Sequence, residues 1–333
     1  MSQRILSALV LCAGTIFLTA CSGGTVTSSS TSGPQLYAVC SACNGTAGVS
    51  GVYSYAINSS SATVTSSLTA PAASVWQGMQ LDSIGNIYVT NEGSNSPYAQ
   101  SVIEYAAGST GAATPTRTVT SSTITNGDFD GDVIGASGTL YYFDDSDGFE
   151  VFSPTAGLNA TSTLTNTAIN SVGFKDGVTD SAGNLYLATF NDTLVVLPVG
   201  FTSSTAPVTI NFGSTPRSVE AVSIDSSNNL YIMGKGTGSS TTGSYLIEIP
   251  QTLTSMAVTP TKVLTLSAVT NPFYSVALDS TGNIYAVASL NPMVIDEYSA
   301  TAATGTAPSP INTITTTLNT SNSSFGVKLI AIH

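Results

Sequence analysis

A short motif recurs along this chain and restricts its fold more than any other feature. Four segments combine an Asp-Ser turn, a Gly or Asn, an Asn and a strand-like run with a tyrosine: LDSIGNIYVT (81–90), VTDSAGNLYLAT (178–189), SIDSSNNLYIMG (223–234) and ALDSTGNIYAVA (277–288). Two less regular copies join them, GPQLYAVC (33–40) and GASGTLYYFD (135–144). Measured at the first tyrosine of each segment, successive copies lie 45 to 54 residues apart. Such a period indicates one small supersecondary unit stacked several times.

Each repeat reads as four short strands. An apolar run leads into the turn, where Asp and Asn cap their own backbone and Gly accepts a positive φ. Asp82, Asp180, Asp225 and Asp279 are therefore interpreted as structural turn residues. A third strand follows the tyrosine run, as in VIEYAA (102–107) and YLIEIP (245–250), and a fourth follows it, as in TRTVT (116–120) and TKVLTL (261–266). Four strands at this period predict a β-propeller blade, and the recurrent tyrosine predicts packing between blades.

The two ends of the chain complete the count of blades. The first copy lacks a leading strand, whereas the chain finishes with SFGVKLIAIH (324–333), which aligns with FYSVALDS (273–280) and has no strand after it. We therefore predict an all-β, six-bladed propeller in which the C-terminal strand pairs with the N-terminal blade. This closure would leave no inner edge free to aggregate.

With these repeats the chain resembles the six-bladed NHL-repeat and gluconolactonase-like propeller families over about residues 35–333. The resemblance implies a ligand on one face of the ring, around a central ion. A metal-dependent hydrolase or lactonase of this type would need carboxylate and Asn ligands, and the nearest candidates are Glu92, Asn91, Asn191, Asp192 and Glu220. Their spacing does not reproduce that family's pattern. Propellers also include many pure binding modules, so the fold does not choose between them.

The N-terminus predicts export and lipidation. Arg4 precedes an uncharged, mostly apolar run over 5–18, which is typical of a signal peptide and too short for a spanning helix. Leu-Thr-Ala-Cys at 18–21 resembles the bacterial lipobox. We expect residues 1–20 to be removed, Cys21 to carry fatty acyl chains such as palmitate, residues 21–34 to form a Ser/Thr/Gly-rich tether, and residues 35–333 to form the propeller. The alternative is an ordinary secretory signal with a chance cysteine.

These features place the expected protein outside the cytosol, anchored to a membrane by lipid. Ser22 after the cysteine favours the outer membrane in a bacterium that has two membranes. Seven basic residues against 19 acidic ones give a net charge of −12, which disfavours nucleic acid as a partner, because such binding depends on Lys and Arg. In an oxidising compartment Cys40 and Cys43 are expected to form a local disulfide. Redox catalysis by this pair is the weaker alternative.

Acidic residues concentrate in one repeat. The segments NGDFDGD (126–132) and DDSDG (144–148) are expected on the same face of the third blade. Carboxylates at alternate positions suit a hard cation such as Ca²⁺. We therefore predict a peripheral calcium site from Asp128, Asp130, Asp132, Asp144, Asp145 and Asp147. Solvated acidic loops are the alternative, and no EF-hand is present because Val133 replaces the glycine that such a loop needs.

Polar and aromatic residues also fall on the face opposite the Asp-Ser turns. The expected ligand-face residues are Trp76, Asn91, Glu92, Asn191, Asp192, Arg217, Glu220, Phe273 and Tyr274. The only histidine is His333, which argues against a His-dependent lyase or a His-zinc hydrolase. We therefore favour a binding or scaffold module for an envelope or extracellular protein or glycan, with no catalytic residue assigned. A glycosylated, purely structural surface protein is a third possibility.

Overall fold

A computed structural model describes nineteen parts of the chain, some of them single residues. These are 34–40, 50–57, 64–72, 74–92, 100–122, 131–135, 137–143, 149–165, 169, 173–189, 191, 193–212, 219–235, 244–249, 260–266, 275–290, 292–304, 308–318 and 327–332. Every structural statement below concerns these residues. These residues contain no helix that is long and apolar enough to cross a bilayer.

The described residues contain 24 β-strands in six antiparallel sheets of four. Three sheets contain β1 (Gln35–Cys40), β2 (Gly51–Ala56), β3 (Val64–Thr69) and β24 (Val327–Ile332); β4 (Trp76–Leu81), β5 (Ile87–Asn91), β6 (Ser101–Tyr105) and β7 (Arg117–Thr120); and β8 (Gly131–Ile134), β9 (Leu140–Phe143), β10 (Phe149–Phe152) and β11 (Leu164–Thr165). The other three contain β12 (Phe174–Thr179), β13 (Leu185–Thr189), β14 (Thr193–Leu197) and β15 (Val208–Asn211); β16 (Ala221–Ile224), β17 (Leu230–Lys235), β18 (Ser244–Ile249) and β19 (Lys262–Leu266); and β20 (Val276–Leu278), β21 (Ile284–Leu290), β22 (Met293–Tyr298) and β23 (Asn312–Thr315).

The six sheets form a closed ring. The strands that begin them, β24, β4, β8, β12, β16 and β20, each contact the corresponding strands of the two neighbouring sheets. These six are therefore the inner strands, and each sheet is a blade, numbered here from the one that contains β1. The chain closes the first blade with β24, which pairs antiparallel with β1 through Leu36↔Ile332 and Tyr37↔Ala331. The predicted all-β, six-bladed propeller with C-terminal closure is confirmed.

Hydrophobic cores lie between the blades. Six buried clusters occur in the described residues, one at each interface between neighbouring blades. The tyrosine of every repeat packs in the cluster between its own blade and the next: Tyr37, Tyr88, Tyr141, Tyr186, Tyr231 and Tyr285. The packing role predicted for this tyrosine is confirmed.

The repeated turn is held by its aspartate. The Oδ1 atom of Asp180 accepts hydrogen bonds from the backbone N–H groups of Ala182 (3.0 Å) and Asn184 (2.8 Å), while Oδ2 accepts from Asn184 Nδ2 (2.7 Å) and the Tyr186 hydroxyl (3.0 Å). The same backbone and Asn bonds recur at Asp82, Asp225 and Asp279. The residue before the Asn has a positive φ of 63° to 89°, which glycine, or Asn in the fifth blade, adopts at low cost.

The turn asparagine joins two connections on one face of the ring. Its side-chain oxygen accepts from the backbone N–H of the segment between the third and fourth strands: Asn86 from Ala107 (3.0 Å), Asn184 from Val199 (2.9 Å) and Asn283 from Ala300 (3.3 Å). We call this side of the propeller the turn face. Because strands alternate in direction, the remaining connections lie on the opposite side, the loop face.

Basic side chains on outer strands connect neighbouring blades near the turn face. Lys262 Nζ lies 3.2 Å from Glu248 Oε2 in its own blade and donates to the carbonyl of Ala300 in the next (2.7 Å). Arg117 repeats this arrangement, with its Nε 2.7 Å from Glu104 Oε2 and a hydrogen bond to the Pro154 carbonyl of the third blade. The same kind of charged connection therefore joins the second blade to the third and the fifth blade to the sixth.

Candidate functional site

The described part of the loop face contains only some of the expected ligand-face residues. Asn191 is exposed there. Trp76 is fully buried in the core between the first two blades, where its ring lies 5.7 Å from that of Tyr105, so it does not reach the surface. The positions of Asp192, Arg217, Phe273 and Tyr274 lie outside the described residues, as does Cys21.

Asn91 and Glu92 hold the connection that enters the second blade. The Val75 N–H donates to Asn91 Oδ1 (2.9 Å), and the Glu92 N–H donates to the Val75 carbonyl (2.9 Å). Gln77 Nε2 donates to Glu92 Oε2 at 2.6 Å. The side chains of Asn91, Glu92 and Gln77 are therefore held in place at the loop-face end of the second blade by hydrogen bonds within the protein.

Two inner strands carry a β-bulge at the same place in the repeat. The register of β4 breaks between Trp76 and Met79, and that of β12 breaks between Phe174 and Asp176. A bulge re-aims side chains and often lies beside a functional site. The residues five and four positions before the turn aspartate are Gln77 and Gly78 in β4, and they are Lys175 and Asp176 in β12.

In the fourth blade the bulge directs its residues at the fifth. Lys175 Nζ lies 3.4 Å from Glu220 Oε1, and only 15% and 10% of the two side chains is exposed. Asp176 Oδ2 accepts from the Val222 N–H (2.9 Å), and Oδ1 accepts from the Gly177 N–H (2.9 Å). Both charged groups of the fourth blade are therefore paired across or within this interface.

In the second blade the bulge faces the buried carboxyl of Asp132, which belongs to the third blade. The Thr90 hydroxyl donates to Asp132 Oδ1 at 2.8 Å, and Asp132 is 1% exposed. Burial raises the pKa of Asp132 to about 7, although the Thr90 hydrogen bond opposes the rise. Within the described residues, neither Asp132 Oδ2 nor Gln77 Oε1 has a hydrogen-bond partner, and both atoms are buried.

Sequence reasoning did not identify Gln77, Gly78 or Thr90 as residues of a candidate site. Their shared signal was the distance to the turn aspartate, which aligns the inner strands of all regular repeats. The bulge itself has no sequence signature here. Without it, the alternation of a strand would place the side chains at these two positions on opposite faces.

Asp132 is the single member of the predicted calcium set that falls within the described residues, and Asp128, Asp130, Asp144, Asp145 and Asp147 lie outside them. The peripheral site stays a prediction. Of the described candidates for the central ion implied by the lactonase resemblance, Asn91 accepts from the Val75 N–H, Glu92 accepts from Gln77, Glu220 pairs with Lys175 and Asn191 is exposed. The central ion stays a prediction. No cluster of three His, Cys, Asp or Glu suited to a metal occurs in the described ranges.

Cys40 is fully buried at the end of β1 and is disulfide-bonded. Cys43 lies outside the described residues. Their pairing therefore stays a prediction.

Comparisons with known proteins concern the fold alone. No protein-family model and no curated protein matches the chain. A solved structure of a protein of unknown function from Bacteroides caccae is similar, with a TM-score of 0.56 and 7% identity over 90% of this chain and 98% of that chain. Virginiamycin B lyase from Staphylococcus aureus is more distant, with a TM-score of 0.45 and 10% identity over 67% of this chain and 66% of that chain. Neither likeness assigns an activity.

Proposed function

We propose that this chain is an extracytoplasmic lipoprotein, anchored through Cys21, whose propeller binds an envelope or extracellular protein or glycan on its loop face. The observation that carries the binding role is the fixed polar set at the loop-face ends of the inner strands. Gln77 is held by Glu92, and Lys175 is held by Glu220, whose pair is only 15% and 10% exposed. Preorganised polar groups on a rigid frame are what a binding site requires.

The turn face supports this assignment from the other side of the ring. Its aspartates and asparagines form their hydrogen bonds within the turns and with the connections beside them. Side chains used in this way maintain the frame, which leaves recognition to the opposite face. Loops held by a rigid scaffold are where binding residues usually lie.

The binding role is tested with two matched double variants. Lys175→Ala with Glu220→Ala removes the loop-face ion pair, and Glu104→Ala with Arg117→Ala removes a turn-face pair. Each leaves the net charge unchanged. On glycan arrays and on isolated envelope proteins, the first variant is expected to weaken binding by about tenfold or more, equal to about 1.4 kcal/mol. Equal binding by both variants, or loss only in the turn-face variant, contradicts the assignment.

The anchor is tested separately. Wild-type protein expressed in bacteria with an alkyne-labelled palmitate is expected to take up the label and to partition into detergent. Cys21→Ser is expected to do neither, because its hydroxyl replaces the thiol that accepts the lipid. Labelling that persists in Cys21→Ser would refute anchoring at this residue, and it would leave the binding experiment unaffected.

A further inference from the structure

Two interfaces of the ring use the same bulge with different residues, and their comparison is informative. Between the fourth and fifth blades, Lys175 supplies a positive charge opposite Glu220, and both carboxylate oxygens of Asp176 accept backbone N–H groups. Each of these charges has a partner in the chain. This interface needs nothing from outside.

Between the second and third blades the equivalent positions carry Gln77 and Gly78. The carboxylate comes instead from the third blade, as Asp132, which Thr90 holds through one oxygen. Gln77 and Asp132 are 2% and 1% exposed, yet Gln77 Oε1 and Asp132 Oδ2 have no hydrogen-bond partner among the described residues. A buried acceptor without a donor destabilises the folded protein, and it does so more strongly when it is charged.

Gln77 and Asp132 both lie beside Gly78. Gln77 directly precedes Gly78 in the bulge of β4, and a Cβ atom at Gly78 would lie 3.4 Å from Asp132 Oδ1. Thr90 donates to Asp132 and Gln77 donates to Glu92, so the two atoms left without a partner among the described residues are both oxygen acceptors. At the position that Lys175 holds in the fourth blade, the second blade carries Gln77, which has no charge.

Gly78 is required by this arrangement. A Cβ atom there would clash with Thr90 Oγ1 and would lie 3.4 Å from Asp132 Oδ1 and 3.3 Å from Gly131 Cα. A side chain at this position would therefore push the carboxylate away from Thr90. Glycine at position 78 therefore leaves room for the Thr90 hydroxyl and the Asp132 carboxyl to meet.

We propose that the interface between the second and third blades binds a divalent metal cation of the Ca²⁺ class through Gln77 Oε1 and Asp132 Oδ2. Carboxylate and amide oxygens are the ligands that Ca²⁺ prefers. The ion does for these blades what Lys175 does between the fourth and fifth, because it neutralises buried carboxylate charge across the interface. The site lies at the inner strands, shares Asp132 but no other aspartate with the predicted peripheral calcium set, and does not depend on the proposed binding function.

The only tryptophan of the chain directly precedes Gln77, which provides a local reporter. Full-length protein is stripped with EDTA and titrated with Tb³⁺, an oxygen-seeking lanthanide that substitutes for Ca²⁺. Excitation at the red edge of tryptophan absorption, where tyrosine does not absorb, is expected to give terbium emission sensitised by Trp76. Added Ca²⁺ is expected to displace the signal and to raise the urea midpoint of the wild-type protein.

Four variants locate the ion. Gln77→Leu and Asp132→Asn are each expected to weaken Ca²⁺ binding about tenfold or more, since each removes an oxygen ligand or its charge. Asp176→Asn is the matched control at the equivalent bulge and is expected to keep wild-type affinity. The double variant Asp145→Asn, Asp147→Asn removes two carboxylates of the predicted peripheral set and is also expected to keep wild-type Ca²⁺ affinity. If Asp132→Asn does not fold, Gln77→Leu carries the comparison.

Two results overturn the proposal. Absence of both sensitised emission and a Ca²⁺-dependent urea shift would mean that water alone satisfies these oxygens. Binding that survives Gln77→Leu but is lost in the Asp145→Asn, Asp147→Asn variant would place the ion in the acidic loops instead.

Discussion

The turn aspartates determine how the protein responds to acid. Burial acts to raise the pKa of Asp180, but hydrogen bonds from Asn184, Tyr186 and Ala182 outweigh it, and the pKa lies below its ordinary value of 3.8. Asp279 behaves in the same way through Asn283 and Thr281. In the folded protein these groups therefore hold fewer protons than in the unfolded chain at acidic pH.

This lowered pKa predicts the direction of acid unfolding. The stability contributed by Asp180 and Asp279 is present above pH 3.8 and is lost as the pH falls through their lower folded pKa values. Asp279→Asn is expected to cost about 1 to 3 kcal/mol at neutral pH and to reduce the loss on acidification. Urea unfolding at several pH values measures both. Ser280→Ala, an exposed change on the same turn, is the control and is expected to stay within about 0.5 kcal/mol.

At this scale the sequence predicted the structural residues better than the candidate site. Asp82, Asp180, Asp225 and Asp279 were identifiable because their bonds reach only two to six residues along the chain. Thr90 and Asp132 are 42 residues apart and meet only because β5 of the second blade and β8 of the third blade are neighbours in the ring. No local pattern encodes that contact.

Inner strands at the centre of the ring leave little room for side chains. A Cβ atom at Gly177 in β12 would lie 2.7 Å from Leu187 Cδ2 and 2.8 Å from Val133 Cγ2 of the preceding blade. Gly177→Ala is expected to destabilise the protein by about 1 to 3 kcal/mol through this overlap. Adding Val133→Ala should recover part of the loss if the clash between blades is its cause. Calorimetric unfolding of the two single variants and the double variant measures the coupling, and strict additivity would contradict it.

The charged connections between outer strands and the next blade give a second prediction at the level of elements. Lys262→Met keeps the length of the stem but removes the ion pair with Glu248 and the hydrogen bond to Ala300. We expect a loss of about 1 to 2 kcal/mol, because the carbonyl and the carboxylate both lose a charged partner. Thr301→Ala, in the same connection of the sixth blade but exposed, is the control. A loss no greater than that of the control would show that this connection contributes little.

Elements with regular alternation were predicted well, and irregular ones were not. The strands after the Asp-Ser turns were placed correctly because turn and tyrosine mark them. The fourth strand of the third blade, β11, is only Leu164–Thr165 and pairs with Glu150 and Val151. Two residues carry no recognisable period, so it was missed.

Ring closure is the property of the whole molecule that a truncation tests. Removing residues 327–333 deletes β24, the inner strand of the first blade, and exposes an edge of β1 together with the surfaces of β4 and β20 that β24 contacts. We expect loss of the single cooperative unfolding transition and association through the exposed edge, as measured by calorimetry and size-exclusion chromatography. A chain that begins at Pro34 is the control and is expected to unfold like the full-length protein. A monomeric, cooperatively folded truncation would show that the ring holds without its closing strand.

The overall architecture was predictable because a repeat specifies it six times. The missing first strand at one end and the surplus strand at the other indicated the pairing that β1 and β24 make. The ligand was not predictable, since the connections of the loop face differ from blade to blade and share no motif.

The pairing of β1 with β24 also determines when folding can finish. A chain that leaves the ribosome or crosses a membrane from its N-terminus presents β1 long before its partner exists. Contacts between residues so far apart in sequence form slowly, because the ends of the chain must meet before the contact contributes. The first blade is therefore the last to be completed, and the unpaired edge of β1 stays accessible to chaperones and proteases until β24 has been added.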